Sequence, residues 1–318
     1  MPTDTAALEA CLPEDFRGPG TTFSRIAAGM SGAGVYRVEA LGHPFVLKIS
    51  SESEPFEHWR RKVQLRQLAA SAGIAPRVVH VDEARRAVTS AFVADRSFLA
   101  WLSNPATRDA AIVRLAQTLR RLHGLPQPEG APWQEPREFL RALWAPLWAG
   151  FALPPFVGEV VGRMLEETPP ARERPLVLSH NDVNPTNLIF DGEHLLLLDW
   201  EQSGTNDPFY DLGAAAMFFR FDDATCLRLL SAYDGEAVTS LPPRFVYSRR
   251  LVSVLSAAAM LQVARQGAHA GATGRETLES TPTLADFYQR LRAGAVSPAT
   301  ADGQWQFALA LIKNRLAL

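Results

Sequence analysis

Short apolar runs separated by glycines and polar turns fill the first part of the chain. The first twenty residues contain too many prolines and glycines for a long element, and we expect no more than one helical turn there. Apolar runs then end at Ile26, cover Val35–Val38 and Phe45–Ile49, and return at Arg77–Val81 and Ala87–Val93. Runs of this length, bounded by turn residues, are typical of an antiparallel meander. The pattern predicts five short strands.

A helical period interrupts the strands once, between the third and the fourth. Over residues 55–72, Phe56, Trp59, Val63 and Leu68 recur among charged residues, and Gly73 and Pro76 follow directly. Apolar residues spaced by three and four positions form one face of a helix, and glycine followed by proline ends it. We therefore predict a single helix in this part of the chain.

Helical patterns dominate after Ala94. Residues 110–123 form an amphipathic stripe, and residues 126–155 are rich in proline and tryptophan and are expected to be a connector. An island of three short apolar runs lies at Leu176–Leu178, Asn187–Phe190 and Leu195–Leu198. Further helices are predicted at Ala214–Arg220, Thr225–Tyr233, Phe245–Gln266, Thr283–Leu291 and Trp305–Leu316.

The two kinds of pattern divide the chain near residue 94. We predict an α+β protein, with a small antiparallel β-sheet lobe over residues 1–94 and a larger, mainly helical lobe over residues 95–318. At 318 residues the chain is long enough for one core to split into two lobes.

Composition narrows the class of partner. Lysine plus arginine total 32 against 34 aspartate plus glutamate, so the chain has no excess of positive charge for nucleic acid or an anionic membrane. The longest apolar run, Leu251–Ala264, is broken by polar residues and is shorter than the roughly 18 residues of a membrane span. Cys11 and Cys226 lie far apart, and no signal segment opens the chain. We expect a soluble, cytoplasmic protein.

Candidate chemistry is concentrated in and just after the strand island. Asp182 and Asn187 lie five positions apart on one polar segment, and Asp199 follows the apolar run that ends at Leu198. Phosphoryl transfer from ATP needs a carboxylate near the attacking hydroxyl, and a carboxylate and an amide oxygen on Mg²⁺. Any one of these residues would be an ordinary turn residue, but together they supply all three groups.

These residues resemble a family motif. The order His180-x-Asp182-x-x-x-x-Asn187 is similar to the catalytic loop of the protein-kinase-like small-molecule kinases, which include choline and ethanolamine kinases and aminoglycoside phosphotransferases. The continuation is similar to the choline and ethanolamine kinases in particular, because it contains Asp199, Glu201, Asn206, Tyr210, Asp211 and Leu212 at that family's spacing. Gln202 departs from the pattern, which has tyrosine there.

The resemblance implies a role for six of the matching residues. Asp182 orients the substrate hydroxyl and accepts its proton, and Asn187 and Asp199 bind magnesium. Asp211 braces the catalytic loop and His180 orients it, as structural support. Glu201, which also matches the motif, is expected at the rim of the substrate site; alternatively it is only a solvated charge after a strand.

The resemblance also places a nucleotide clamp in the first lobe. The glycine-rich segment with Ser31, Gly32 and Gly34 would fold over the phosphates, where small residues permit a close approach of the backbone; alternatively it is only a hairpin turn. Lys48, at the end of an apolar strand, would pair with the α- and β-phosphates. Phe92 and Val93 would offer backbone groups to adenine.

The partner of Lys48 departs from the family pattern. The family keeps a glutamate on the following helix, at a position that falls here near Arg61 or Lys62, and the nearest acid on that helix is Glu57. Either Glu57 pairs with Lys48, or Asp199 and phosphate alone hold the lysine.

Three functions follow from this resemblance. The preferred one is transfer of the γ-phosphate of ATP to the hydroxyl of a small amino alcohol similar to choline, ethanolamine or thiamine, with Mg²⁺ as cofactor. An aminoglycoside substrate is less favoured, because the C-terminal segment is apolar and basic where such enzymes place acidic residues. The third is a nucleotide-binding scaffold without turnover, suggested by the displaced helix glutamate.

Overall fold

Five antiparallel strands form one sheet in the N-terminal part of the chain. The computed structural model describes residues 4–26, 34–127 and 135–315. The sheet has the order β1-β2-β3-β5-β4, and its strands are β1 (Thr22–Arg25), β2 (Gly34–Ala40), β3 (His43–Ile49), β4 (Val78–Asp82) and β5 (Ala87–Ala91). The predicted meander of five strands is confirmed.

The two faces of this sheet pack against different partners, because side chains alternate along a strand. Leu47 and Ile49 of β3 face a core formed with α1 (Thr5–Glu9) and the short 3₁₀ turn Glu14–Phe16. Lys48, between them, points to the opposite face and lies across from Val88 of β5.

The helix α2 (Phe56–Ser71) covers that second face. Its Trp59 and Val63 are buried against Val88. The chain leaves the helix through Gly73, whose φ of +67° is favourable only for glycine among ordinary residues. The predicted helix over residues 55–72 is confirmed.

The rest of the chain is mainly helical and carries two short two-stranded sheets. One pairs Val177–Ser179 with Gly204–Asn206, and the other pairs Leu188–Phe190 with Leu195–Leu197. In chain order, the remaining elements are α3 (Phe98–Ser103), α4 (Arg108–His123), α5 (Pro136–Gly150), α6 (Pro155–Glu166), β6 (Val177–Ser179), β7 (Leu188–Phe190), β8 (Leu195–Leu197), β9 (Gly204–Asn206), α7 (Pro208–Phe218), α8 (Asp223–Asp234), α9 (Pro243–Gln266), α10 (Leu284–Arg292) and α11 (Ala301–Arg315).

The predicted connector at residues 126–155 is wrong over most of its described length. Residues 136–150 form α5, and α6 begins at Pro155. Pro136 and Pro155 each lie in the first helical turn, where the missing N–H has no partner to lose. Proline therefore marks where these helices start.

The chain divides into two compact units. The first unit contains residues 1–130, 182–203 and 231–237, and so includes the five-stranded sheet, α2 and the β7–β8 pair. The second contains residues 131–181, 204–230 and 238–318, with α5, α6, α7, α9, α10, α11 and the β6–β9 pair. The predicted α+β class is confirmed, while a boundary at residue 94 stays a prediction.

In the second unit, α7 and α9 approach each other closely. A Cβ atom on Gly213 would lie 2.9 Å from the backbone nitrogen of Arg249, so only glycine fits there without a shift. The Ser253 hydroxyl donates to the Leu311 carbonyl at 2.8 Å and ties α9 to α11. Within the described ranges, no helix has the length and apolar character that a membrane crossing requires.

Candidate functional site

Asp182 lies in a loop that its own neighbours hold in place. The Asn187 amide nitrogen donates to the Asp182 carboxylate at 2.7 Å and to the Asp182 carbonyl at 3.0 Å. The Asn184 amide nitrogen donates to the other carboxylate oxygen at 2.8 Å. Asn184 also accepts from the Thr186 backbone and begins the 3₁₀ turn that ends at Asn187. The loop sequence thus fixes the Asp182 side chain locally.

Asp211 supports the residues that precede Asp182 in the chain. One of its carboxylate oxygens accepts from the His180 N–H and the other from the Asn181 N–H, both at 2.8 Å. Asp211 and His180 are fully buried, and Asn181 has a φ of +64°. Asp211 also lies in the first turn of α7, where the helix dipole favours a negative charge. These contacts support the bracing role that the motif implies.

The β7–β8 hairpin brings Asn187 and Asp199 to the same end. Asn187 directly precedes β7, and Asp199 follows β8 by two residues. The Leu198 N–H donates to the Asn187 carbonyl at 2.8 Å, which joins the two strand ends. Asp199 has a left-handed backbone, with a φ of +58°, a conformation that asparagine and aspartate tolerate better than other non-glycine residues. The hairpin therefore makes Asn187 and Asp199 neighbours, although they are twelve positions apart in the sequence.

The same hairpin is attached to the segment after β5. Asp95 accepts from the Phe190 N–H at 3.1 Å, and the Arg96 N–H donates to the Phe190 carbonyl at 2.7 Å. Trp101 of α3 stacks on the Phe190 ring with centroids 4.2 Å apart. The hairpin that carries Asp199 is therefore fixed within the first unit.

Lys48 lies between two carboxylates of the turn after the hairpin. Its ammonium is 2.9 Å from an Asp199 oxygen and 2.6 Å from a Glu201 oxygen. Glu201 belongs to the 3₁₀ turn Trp200–Gln202. The structure thus brings Lys48 to Asp199, as the sequence allowed, and adds Glu201, which sequence reasoning had placed elsewhere.

A pocket adjoins Lys48, and charged residues of α2 line it. It has about 400 Å³ of empty space, part of it open to solvent. Lys62 pairs with Glu54 at 2.5 Å, and Arg66 donates to the Ser90 hydroxyl at 2.7 Å. Burial lowers the pKa of Arg66 to about 10, although nearby Asp199 opposes this shift. The described lining consists of Lys48, Ser50, Glu54, Trp59, Lys62, Val63, Arg66, Val88, Trp200 and Glu201.

Sequence reasoning missed Lys62 and Arg66 as members of this site. Together with Trp59 and Val63 they follow the spacing i, i+3, i+4, i+7, which places all four on one helical face. The spacing of the apolar residues of α2 in the sequence could therefore also have indicated that Lys62 and Arg66 face the same side of the helix as Trp59 and Val63.

The remaining predicted clamp residues lie in different surroundings. Gly34 begins β2 and is buried, whereas Ser31 and Gly32 lie outside the described residues. Phe92 and Val93 are half-buried after β5, and the Arg37 guanidinium lies 4.6 Å from the centre of the Phe92 ring.

Glu57 lies in the first turn of α2 with an exposed side chain. Among the residues that the structure describes, the recorded ion pairs of Lys48 are with Asp199 and Glu201 and not with Glu57.

The donor atoms fit a magnesium nucleotide. Mg²⁺ prefers oxygen ligands and usually takes one or two from protein, with water and phosphate supplying the rest. Asp199 supplies a carboxylate, and the Asn187 contacts described above use its amide nitrogen and not its amide oxygen. Among the described residues, no three His, Cys, Asp or Glu side chains form a cluster that could hold a metal without such help.

Comparison with known families gives one match. The model of the phosphotransferase enzyme family (APH) matches residues 22–247. Among curated proteins, Protein LicA of Haemophilus influenzae is 46% identical over 33 residues, which covers 10% of this chain and 12% of that protein. The chain therefore matches only a small part of the length of that curated relative.

Solved structures that are similar over almost the whole chain include the following two. A choline/ethanolamine kinase family protein from Mesorhizobium loti has a TM-score of 0.61 and 23% identity, covering 97% of each chain. A putative aminoglycoside phosphotransferase from Ralstonia eutropha has a TM-score of 0.61 and 18% identity, covering 96% of this chain and 98% of that one. At these identities the similarity concerns the fold.

Proposed function

The chain belongs to the phosphotransferase enzyme family, and from this membership we propose that it transfers the γ-phosphate of ATP to the hydroxyl of a small amino alcohol. The observation that carries the proposal is the arrangement of Asp182, Asn187, Asp199 and Lys48 within one compact unit. Phosphoryl transfer depends mainly on positioning and electrostatic stabilisation, and these residues supply both.

Asp182 is the proposed base. Two amide donors, from Asn184 and Asn187, hold its carboxylate in one orientation. A carboxylate oxygen has more than one lone pair, so each can still accept the proton of a substrate hydroxyl. The substrate hydroxyl oxygen attacks the γ-phosphorus while the bond from that phosphorus to the β–γ bridging oxygen breaks, and ADP leaves with the electron pair of that bond. The hydroxyl proton passes to Asp182 and stays there until the product departs.

Asn187 and Asp199 are the proposed magnesium ligands, through an amide oxygen and a carboxylate. Held by these two residues, Mg²⁺ would supply positive charge that stabilises the phosphates during transfer. Lys48 supplies a second positive charge for the α- and β-phosphates. The glycine-rich segment with Ser31, Gly32 and Gly34, and the backbone of Phe92 and Val93, complete the proposed nucleotide site.

The amino-alcohol class rests on the sequence around Asp199. The spacing of Asp199, Glu201, Asn206, Tyr210, Asp211 and Leu212 is similar to that of choline and ethanolamine kinases. The fold alone does not select a substrate, because a choline/ethanolamine kinase family protein and a putative aminoglycoside phosphotransferase are structurally similar to this chain to the same degree. Magnesium and the substrate class are thus proposals.

The test is ATP consumption by the full chain with choline, ethanolamine, other amino alcohols and aminoglycosides, in the presence of Mg²⁺. We expect turnover that depends on an amino alcohol, and a rate roughly 10²- to 10⁴-fold lower in Asp182→Ala, the usual contribution of a general base. Asp15→Asn, which changes an exposed carboxylate of the same unit, serves as the control and should keep the native rate.

Three results would each contradict a separate part of this proposal. Absence of turnover with every alcohol in the native protein would exclude the kinase activity and favour a scaffold. Turnover with aminoglycosides alone would keep the activity and reject the amino-alcohol class. An unchanged rate in Asp182→Ala would reject Asp182 as the base.

A further inference from the structure

The partner of Lys48 is the feature of this site that the sequence leaves open. The lysine needs a fixed carboxylate, because its four-carbon stem is flexible and its ammonium can point in many directions. We propose that Glu201 is the positioning residue of Lys48, in place of a glutamate on α2. This inference rests on the proposed function for its catalytic consequence, but the ion pair itself can be tested without turnover.

Distance is the first argument. The Glu201 carboxylate is 2.6 Å from the Lys48 ammonium, closer than the 2.9 Å contact with Asp199. Asp199 is also the proposed metal ligand, and a carboxylate that shares its charge with a divalent cation attracts an ammonium less strongly. Glu201 is then the carboxylate that holds Lys48 when nucleotide is bound.

The charges on α2 are the second argument. The charged residues of α2 that line the pocket are Lys62 and Arg66, both basic. The acidic residues that line the pocket lie outside α2. Glu54 precedes the helix and is paired with Lys62, while Arg66 is bonded to Ser90. Of the described carboxylates that line this pocket, Glu201 is the one that contacts Lys48.

The rigidity of the turn is the third argument. The Trp200 indole is buried and donates to the Leu197 carbonyl at 3.1 Å, and the Ser203 hydroxyl donates to the Trp200 carbonyl at 2.5 Å. The left-handed backbone at Asp199 lets one short turn present the side chains of Asp199 and Glu201 to the same ammonium. Glu201 is thus held by packed structure, as a positioning residue requires.

The experiment measures how fast Lys48 reacts with acetic anhydride in the full, nucleotide-free chain, by mass spectrometry of its peptides. Because the Glu201 carboxylate covers and holds the Lys48 side-chain nitrogen, Glu201→Gln should label Lys48 about three- to tenfold faster, the size of a partly buried ion pair. Glu201→Asp keeps the charge on a shorter side chain and should lie between Glu201→Gln and the native protein. Glu52→Gln, an exposed neighbour in the same unit, should label Lys48 at the native rate.

Turnover gives the second measurement. With the amino alcohol that the native protein uses, Glu201→Gln should lower kcat/KM for ATP by roughly 10- to 100-fold, the size of a lost charge-assisted hydrogen bond. Glu201→Asp should recover part of that loss. If the native protein has no turnover, the proposed function fails, and the labelling rates still decide the ion pair.

Two outcomes would overturn the assignment. Equal Lys48 labelling in the native protein and Glu201→Gln would show that Glu201 does not hold the lysine, whatever happens to activity. Faster labelling in Glu57→Gln and not in Glu201→Gln would assign the lysine to the helix residue instead. Because Glu201→Asp changes the side chain by one methylene, it keeps the labelling test available if the glutamine variant does not fold.

Discussion

Asp199 and Asp211 are two carboxylates of one sequence motif in opposite surroundings. The Asp199 side chain is 35% exposed and contacts a lysine ammonium at 2.9 Å. Asp211 is fully buried in the second unit, where its two oxygens accept backbone N–H groups at 2.8 Å. The first carboxylate lies where a ligand can reach it, and the second has its bonding capacity committed to the backbone.

This difference shows how residues that can contact a ligand are distinguished from residues that fix a loop within the same motif. A buried carboxylate bonded to backbone fixes a loop and is costly to change, because the N–H groups would lose their acceptors. A half-exposed carboxylate beside one cation contributes little to stability and can exchange that cation for another. The spacing in the sequence predicts both carboxylates as members of the motif, and only their burial in the structure shows which of the two roles each has.

The largest expected effect is on catalysis, through Asp199. Asn tolerates the left-handed backbone that Asp199 adopts, so Asp199→Asn should keep the turn and replace the carboxylate of a proposed metal ligand by a neutral amide, which removes one charge. We expect turnover to fall by about 10³-fold, the scale of a lost electrostatic stabiliser. The free energy of unfolding should change by less than about 1 kcal/mol, because the pair with Lys48 is partly exposed.

Steady-state kinetics and urea unfolding of the same preparation measure both quantities. Asp15→Asn is again the matched control, with native rate and stability expected. If Asp199→Asn lowers the free energy of unfolding by more than it raises the activation free energy of turnover, Asp199 is a supporting residue like Asp211, and the proposed difference between the two carboxylates is wrong.

The next effect is on stability, through Asp211. Asp211→Asn has nearly the same shape, but its NH₂ group must face a backbone N–H of His180 or Asn181. Two donors then oppose each other inside the protein, and we expect the free energy of unfolding to fall by about 2–4 kcal/mol. Urea unfolding measures it, with the exposed Asp302→Asn of the same unit expected within about 0.5 kcal/mol of the native protein. A native stability in Asp211→Asn would contradict the bracing role.

The smallest effect concerns a buried polar group that lacks the bonding of Asp211. The Tyr247 hydroxyl is buried and, among the residues that the structure describes, has no hydrogen-bond partner. Tyr247→Phe should therefore keep the native stability at pH 7 or raise it by less than about 1 kcal/mol. A fall of more than 1 kcal/mol would show that the hydroxyl is bonded.

The pH dependence of the same variant sharpens the test. Burial raises the pKa of Tyr247 from 10 to about 12. Below pH 10 the Tyr247 hydroxyl is protonated in both the folded and the unfolded chain, and the free energy of unfolding is unaffected by its titration. As the pH rises towards 12, the unfolded chain releases the Tyr247 proton first, so the free energy of unfolding falls. Relative to Tyr247→Phe, the native protein should lose about 1 kcal/mol between pH 9 and pH 11, which urea unfolding at the two values measures.

Local patterns predicted most of the secondary structure. The five strands and α2 were predicted to within a few residues, because alternation and helical period are visible over short windows. The helices α5 and α6 were not, because proline was interpreted as a break although Pro136 and Pro155 lie in first turns. Whether a proline starts a helix depends on the residues after it.

The site was predicted from spacing, and its pairing was not. Asp182, Asn187 and Asp199 were predicted from their side-chain chemistry and their spacing in the sequence, and their roles stay predictions. The neighbour of Lys48 could not be identified in this way, because Lys48 and Glu201 are separated by more than 150 residues and the contact depends on how the turn packs beneath α2.

The sequence by itself determined the α+β class, the order of the five N-terminal strands and α2, and the residue types available for phosphoryl transfer, since these depend on composition and on periods of a few residues. The tertiary structure decided which carboxylate is buried with its bonds satisfied and which lies beside a lysine. Burial and pairing are properties of residues far apart in the chain, and the free energy of a charged group depends on the solvent and partners that folding gives it.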